Sequence, residues 1–137
     1  MITLNPYLHF KDTAREAMEF YKSVFGGKLD VSTFKDAKMA QDASDENKVM
    51  HAMLVTENGI TLMGADTPRH MEYKPGASIS VSLSGNDEST LKEYWEKLTE
   101  GGTITVPLAK APWGDSFGML VDKYGIEWLV NISQPKA

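Results

Sequence analysis

Three histidines, His9, His51 and His70, stand on three separate segments of the chain. Imidazole is the side chain that changes charge between about pH 5 and 8, so each is a candidate acid, base or hydrogen-bond partner. Their spacing is not that of two ligands one turn apart on a helix, so no helical zinc motif is present. Among the carboxylates Glu127 stands out, because a partly buried carboxyl group has a raised pKa and can serve as a general base. Trp113-Gly114-Asp115 offers an indole as a stacking surface. Met39, Met50, Met53, Met63 and Met71 offer an adaptable apolar surface, or simply core. Other chemistries are excluded. The chain has no cysteine, hence no cysteine nucleophile, thiolate metal site or disulfide framework. It carries no Ser-His-Asp elbow, phosphate-binding glycine loop or dinucleotide fingerprint. Gly26-Gly27 and Gly101-Gly102 each follow a helix, whereas phosphates sit at helix N-termini.

Two helices and a set of strands must position these groups. Thr13 to Phe25 begins with Thr13 and Glu16 at capping-box spacing. Ala14, Ala17, Met18, Tyr21, Val24 and Phe25 then recur on one helical face, and Gly26-Gly27 end the helix as a left-handed C-cap. The second helix runs from about Asp87 to Glu100, with Asn86 as cap and Leu91, Trp95 and Leu98 as its apolar stripe beside Tyr94. Residues 3–10 and 77–84 read as strands before the helices, and 28–35 and 103–109 as strands after them. Ser78 to Ser84 alternates strictly, one face polar and one apolar. Two hairpins follow, Met50–Val55 with Ile60–Gly64 and Phe117–Val121 with Ile126–Ile132. Their turns, Glu57-Asn58-Gly59 and Lys123-Tyr124-Gly125, place glycine where positive φ is wanted.

This is an internal repeat. Met53-Leu54-Val55 with Gly59-Ile60 returns in the second half, at the same internal spacing, as Met119-Leu120-Val121 with Gly125-Ile126. The helix and its Gly26-Gly27 stop return in step, ending at Gly101-Gly102. Each half reads strand–helix–strand–strand–strand. Asp36 to Lys48 reads as a solvated loop or short frayed helix, or as a lid over a pocket. Asp66 to Ala77, with two prolines and a glycine, reads as the connector. At 137 residues the chain is one domain's length. Its 14 basic and 19 acidic residues leave a charge of −5, which argues against a nucleic-acid partner. No apolar run approaches the ~18 residues of a membrane span. MITLNPYLHFKD lacks the marks of a signal peptide, so the expected setting is cytoplasmic, without membrane.

The order and spacing of several short motifs identify a family. They are Pro6-Tyr7-Leu8-His9-Phe10, Glu16-Ala17, Phe20-Tyr21 and Val24-Phe25-Gly26-Gly27, then His51-Ala52, Leu62-Met63 and Pro112-Trp113-Gly114-Asp115. Phe117-Gly118 and Asp122-Lys123-Tyr124-Gly125-Ile126-Glu127-Trp128 complete the set. The chain resembles the PhnB-like branch of the vicinal oxygen chelate superfamily, which includes glyoxalase I, bleomycin-resistance proteins and extradiol dioxygenases. The resemblance implies an α+β fold of two βαβββ modules in a single glyoxalase-like domain over residues 1–137. Module 1 spans about 1–66, the connector 66–77 and module 2 about 77–133, with mixed sheets curled around a cleft. It also implies a homodimer. Many relatives hold a divalent metal through one ligand from each of four strands. The corresponding positions here are Asn5, Met63, Ser78 and Leu129. A thioether, a hydrocarbon and two weak donors do not suit a hard ion, so the expectation is a metal-free cleft and no cofactor.

Strand alternation extends this frame. If Met63 and Leu129 face the cleft, so do Thr61, Glu127 and Asn131, with Tyr7 and His9 beside Asn5, and Ser80 and Ser82 beside Ser78. The expected ligand-binding set is Tyr7, His9, His51, Thr61, Met63, Ser80, Trp113, Glu127 and Leu129, a mixed apolar and polar lining of the small-molecule type. His51 matches a histidine often seen in PhnB-like relatives. His70, in the connector, is expected to be exposed. The leading expectation is a PhnB-like protein that binds a small molecule. The alternative is an enzyme of the vicinal oxygen chelate type, a lyase, isomerase or dioxygenase. It would use His9, His51 and Glu127 as displaced metal ligands, or His9 or Glu127 as general base.

Overall fold

The computed structural model describes residues 2–76 and 78–134. Ala77, read above as the end of the connector and the start of a strand, lies outside them. The chain falls into two compact units, Met1–Pro75 and Gly76–Ala137. The first contains β1 (Tyr7–Phe10), α1 (Ala14–Phe25), β2 (Lys28–Thr33), a 3₁₀ turn at Ala43–Asp45, β3 (Val49–Val55) and β4 (Thr61–Asp66). The second contains β5 (Val81–Gly85), α2 (Glu88–Thr99), β6 (Thr103–Lys110), β7 (Ser116–Val121) and β8 (Glu127–Ile132). Each unit is one helix and one open four-stranded sheet, in the orders β1-β4-β3-β2 and β5-β8-β7-β6. The first and last strands of each unit pair in parallel and the others antiparallel. This is the α+β arrangement of two βαβββ modules.

The repeat seen in the sequence is a repeat in register. Met53 pairs with Met63 and Leu54 with Leu62 in the first hairpin. Met119 pairs with Leu129 and Leu120 with Trp128 at the matching positions of the second. Tyr7 pairs with Met63 in the first unit, and Ser82 with Leu129 in the second. The helix faces do what their periodicity predicts. Ala14, Ala17, Met18, Tyr21, Val24 and Phe25 are buried on α1 and Leu91, Tyr94, Trp95 and Leu98 on α2. Leu54 and Leu62, or Leu120, Trp128 and Val130, are buried in the sheets that the helices cover. Burying such a side chain is worth about 1.5–3 kcal/mol, so each helix is fixed by its apolar stripe more than by its caps.

The caps differ from the sequence reading. Thr13 makes no side-chain capping bond. The N–H of Ala14 donates instead to Asp66 Oδ1 at 2.9 Å, from 52 residues away. A full negative charge at the positive end of the helix dipole outcompetes a hydroxyl. On α2 the cap is Asp87 rather than Asn86, its carboxylate accepting from the N–H of Thr90 at 3.2 Å and the Thr90 hydroxyl at 2.8 Å. The first strands are shorter than predicted. β1 starts after Pro6, whose carbonyl still accepts from the N–H of Met63 but which has no N–H of its own to donate. β5 starts at Val81, where the partner Trp128 of β8 becomes available.

The glycine pairs do more than end helices. A Cβ on Gly27 would overlap the Val55 carbonyl, and one on Gly102 the Val121 carbonyl, so the backbone following each helix lies directly on its own hairpin. Each hairpin turn is pinned by a side chain at its first residue. Thr56 Oγ1 accepts from the N–H of Ile60 at 3.0 Å. In the second unit Asp122, buried, accepts from the N–H groups of Tyr124 at 2.8 Å and Ile126 at 3.1 Å and from Trp128 Nε1 at 2.7 Å. The segment after β2 is held by buried Asp45, which accepts from the N–H of Arg69 at 3.2 Å and pairs with Lys48 Nζ at 2.9 Å. Lys48 also reaches Asp12 at 3.4 Å.

Three outcomes follow from these contacts. Asp122→Ala strands one buried and two part-buried donors and should cost about 2–4 kcal/mol in urea denaturation; a loss below ~1 kcal/mol would show that the turn holds without it. Gly27→Ala and Gly102→Ala should each cost ~2 kcal/mol or more, while Gly59→Ala, with open space around it, should cost only the ~1 kcal/mol of a strained left-handed residue. The Asp45 carboxyl is held below the usual aspartate range, chiefly by its hydrogen bond from Lys48, with the Arg69 N–H helping and burial opposing. That stabilisation is full above the unfolded aspartate's value of about 3.9 and is lost as pH falls through the lower folded value. Thermal melts below about pH 4 should therefore fall more steeply for the native chain than for Asp45→Asn; parallel slopes would refute the tie.

Candidate functional site

Alternation along β1 sends Leu8 and Phe10 beneath α1 and leaves Tyr7 and His9 on the opposite face of the sheet. His51 on β3 and Thr61 and Met63 on β4 are half-buried on that same face, placed there by the β1–β4–β3 register. The tyrosine is the centre of an aromatic row. Its ring centroid is 5.2 Å from that of His9 and 5.8 Å from that of His51, and its hydroxyl is 3.3 Å from His51 Nδ1. Burial pushes the Tyr7 phenol above its ordinary pKa, so it stays protonated at neutral pH and keeps a hydrogen to donate.

Tyr7 and His9 form one wall of a cavity of about 540 Å³. Met50 and Ala65 from β3 and β4 contribute to its lining, as do Phe34, Met39 and Gln41 from the segment after β2. The remaining wall is the segment after β4, with Thr67, Pro68, His70, Met71, Glu72 and Lys74. The two irregular segments are drawn together by Asp45, which accepts from the Arg69 N–H, and by an Arg69–Asp42 ion pair at 3.4 Å. Asp66 anchors the sheet side, Oδ1 on the N–H of Ala14 and Oδ2 on that of Val49, both at 2.9 Å. Among the described residues no buried side-chain nitrogen or oxygen lacks a hydrogen-bond partner. A ligand would therefore meet the exposed tips of Tyr7, His9 and His70 over an apolar floor.

The other expected site residues lie elsewhere. Thr61 and Met63 share the sheet face but do not line the cavity, and His51 stands behind Tyr7. Ser80, Trp113, Glu127 and Leu129 belong to the second unit. There the Ser80 hydroxyl donates to Glu127 Oε1 at 2.6 Å, and Leu129 shares the helix-distal face with Glu127 and Asn131. Trp113 is exposed, its ring edge-on to Phe117 at 5.6 Å. His70 is exposed as expected, yet it borders the cavity. Neither its part in the site nor that of Phe34 or Lys74 carried a signal in the sequence; for Met39 and Gln41 the signal was the reading of Asp36 to Lys48 as a lid over a pocket, and the methionines of both loops pointed to an apolar surface.

The four positions that the resemblance assigns to a metal do not suit one. Met63 and Leu129 offer no hard donor, Ser78 is an exposed hydroxyl, and the Asn5 amide donates to Thr3 Oγ1 at 3.2 Å. A hard divalent ion needs several oxygen or imidazole ligands. Among the described residues no group of three His, Asp or Glu side chains is arranged to hold an ion. No helix there is long and apolar enough to cross a membrane.

Comparison with known proteins places this architecture. The protein PA1353 of Pseudomonas aeruginosa is 31% identical, with a TM-score of 0.85 and 98% of this chain and 100% of that chain covered. The PhnB protein of Bacillus cereus is 27% identical, with a TM-score of 0.76 over 96% of this chain and all of the other. A glyoxylase/bleomycin resistance protein/dioxygenase domain from Frankia shares the fold at 15% identity and a TM-score of 0.68, over 100% and 95% of the two chains. Residues 3–131 match the family described as 3-demethylubiquinone-9 3-methyltransferase. With that match over nearly its whole length and the first two structural relatives, the chain belongs to the PhnB-like family, and it shares the fold of a glyoxalase/bleomycin resistance/dioxygenase domain.

Proposed function

We propose that this protein is a cytoplasmic, homodimeric binding protein that takes a small, largely apolar organic molecule without the superfamily's metal. The observation that carries this reading is the cavity of about 540 Å³ in the first unit, walled by Tyr7, His9, Phe34, Met50 and Ala65. Its volume falls within the ~300–1,000 Å³ of small-molecule sites, and its mix of apolar wall and few polar groups is their usual composition. Three methionines in the wall suit a ligand that needs an adaptable fit. The homodimer and the compartment rest on the family resemblance and on the absence of cysteine. A catalytic reading has one observation in its favour. The Tyr7 hydroxyl lies against His51 Nδ1, which pairs a proton donor with a base at the cavity wall.

Thermal-shift titration of metal-stripped protein tests the binding reading. A ligand at one hundred times its dissociation constant should add about 2.7 kcal/mol, and Ala65→Trp, which fills the cavity, should abolish the shift. Zn²⁺, Mn²⁺ or Ni²⁺ should leave the melting temperature unmoved; a shift that disappears in His9→Ala would sink the metal-free reading. Turnover of a bound ligand that is lost in Tyr7→Phe, with binding kept, would replace the binding reading by the catalytic one.

A further inference from the structure

Two of the chain's three histidines line the first-unit cavity, and the third stands behind its wall. His9 and His70 line it, and His51 touches the hydroxyl of Tyr7, which lines it too. What each polar group has left to offer decides what it can hold. Asp66 has both oxygens engaged by backbone N–H groups. Glu72 is paired with Lys74 Nζ at 3.5 Å. Gln41 and Thr67 can donate and accept alike; the imidazole N–H groups and the spare hydrogens of Lys74 tilt the remaining capacity toward donors. These stand over the apolar surface of Met50, Ala65 and Phe34.

From this arrangement we infer that the cavity takes an apolar molecule bearing one acid group, its hydrocarbon on Met50 and Ala65 and its anion against His9 and His70. The inference rests on the binding reading above and adds the ligand's chemical class. It also carries a direction with pH. Histidine as a residue type gains charge between about pH 8 and pH 5, and a charged imidazole donates from both nitrogens. The groups that face these histidines are few. His9 meets Tyr7 on its own strand and uncharged Ala65 opposite on β4, and the same cavity is lined by Asp66, His70, Glu72 and Lys74. His51 meets Tyr7, with Ser32 opposite on β2 and Asp30 next on that face. His70 follows Arg69, which is paired with Asp42. Acid affinity should therefore rise as pH falls.

Two fluorescent probes of similar hydrocarbon separate the possibilities: anilinonaphthalene sulfonate, an anion throughout this range, and phenylnaphthylamine, which is neutral. Both should bind the full chain, and Ala65→Trp should block both, with Met50→Trp as the second occluding variant if the first does not fold. The dissociation constant of the sulfonate should fall about tenfold between about pH 8 and pH 5.5, while that of the neutral amine changes less than about twofold. The His9→Gln, His70→Gln double variant should abolish most of the sulfonate's pH dependence and weaken the sulfonate at about pH 5.5 more than it weakens the amine. Amine binding that Ala65→Trp blocks, with sulfonate binding weaker or insensitive to pH, would overturn the acid-ligand inference and keep the binding reading. Persistence of the sulfonate's pH dependence in the double variant would overturn it as well. Failure of both probes, or binding that survives both occluding variants, would overturn the two together.

Discussion

One carboxylate ties the first unit together. Asp66, buried at the end of β4, accepts from the first N–H of α1 through one oxygen and from the first N–H of β3 through the other. A negative charge at a helix N-terminus is favourable in itself. Here it also fixes the start of the helix, the start of a central strand and the end of another with respect to one another. Ala65 and Thr67, its chain neighbours, both border the cavity. The segment after β4 therefore leaves the sheet from an anchored point, and the cavity wall it builds inherits that anchor.

The second unit shows what happens without such a tie. The register places Ile132 at the position that Asp66 holds in the first unit. Its helix is capped from next door by Asp87, and its buried carboxylate has moved to Asp122, where it pins the hairpin turn and the Trp128 indole. The same correspondence sets Ser82 and Ser84 against Tyr7 and His9. The two halves keep one backbone plan because hairpin register and Gly-Gly close approach are shared. They differ in chemistry because the side chains on the helix-distal face are free of the packing that both helices demand.

The aromatic row on that face combines two constraints. Period-two alternation puts Tyr7 and His9 on one side of β1, and the β1–β4–β3 order sets His51 two strands away at a spacing that Tyr7 can bridge. The phenol is half covered, which raises its pKa and keeps it a neutral hydrogen-bonding group. The irregular segments around it are held by Asp45, which pairs with Lys48 and accepts from the Arg69 backbone N–H, and by the Arg69–Asp42 ion pair.

The architecture was legible in the residues alone. Helical periodicity, strand alternation and turn glycines are local rules, and the Met-Leu-Val and Gly-Ile echoes revealed the repeat because register in a hairpin depends on residues a few positions apart. Tyr7 and His9 followed from the same alternation. The long-range ties were not legible. Asp66 capping a helix 52 residues before it, Asp45 holding Arg69 and His70 bordering the cavity with His9 all join segments that have no fixed sequence spacing. A charge or a ring can be read as capable of chemistry from its type, but its partners are chosen only when the chain folds, since desolvation and hydrogen bonding act through distance in space and not along the chain.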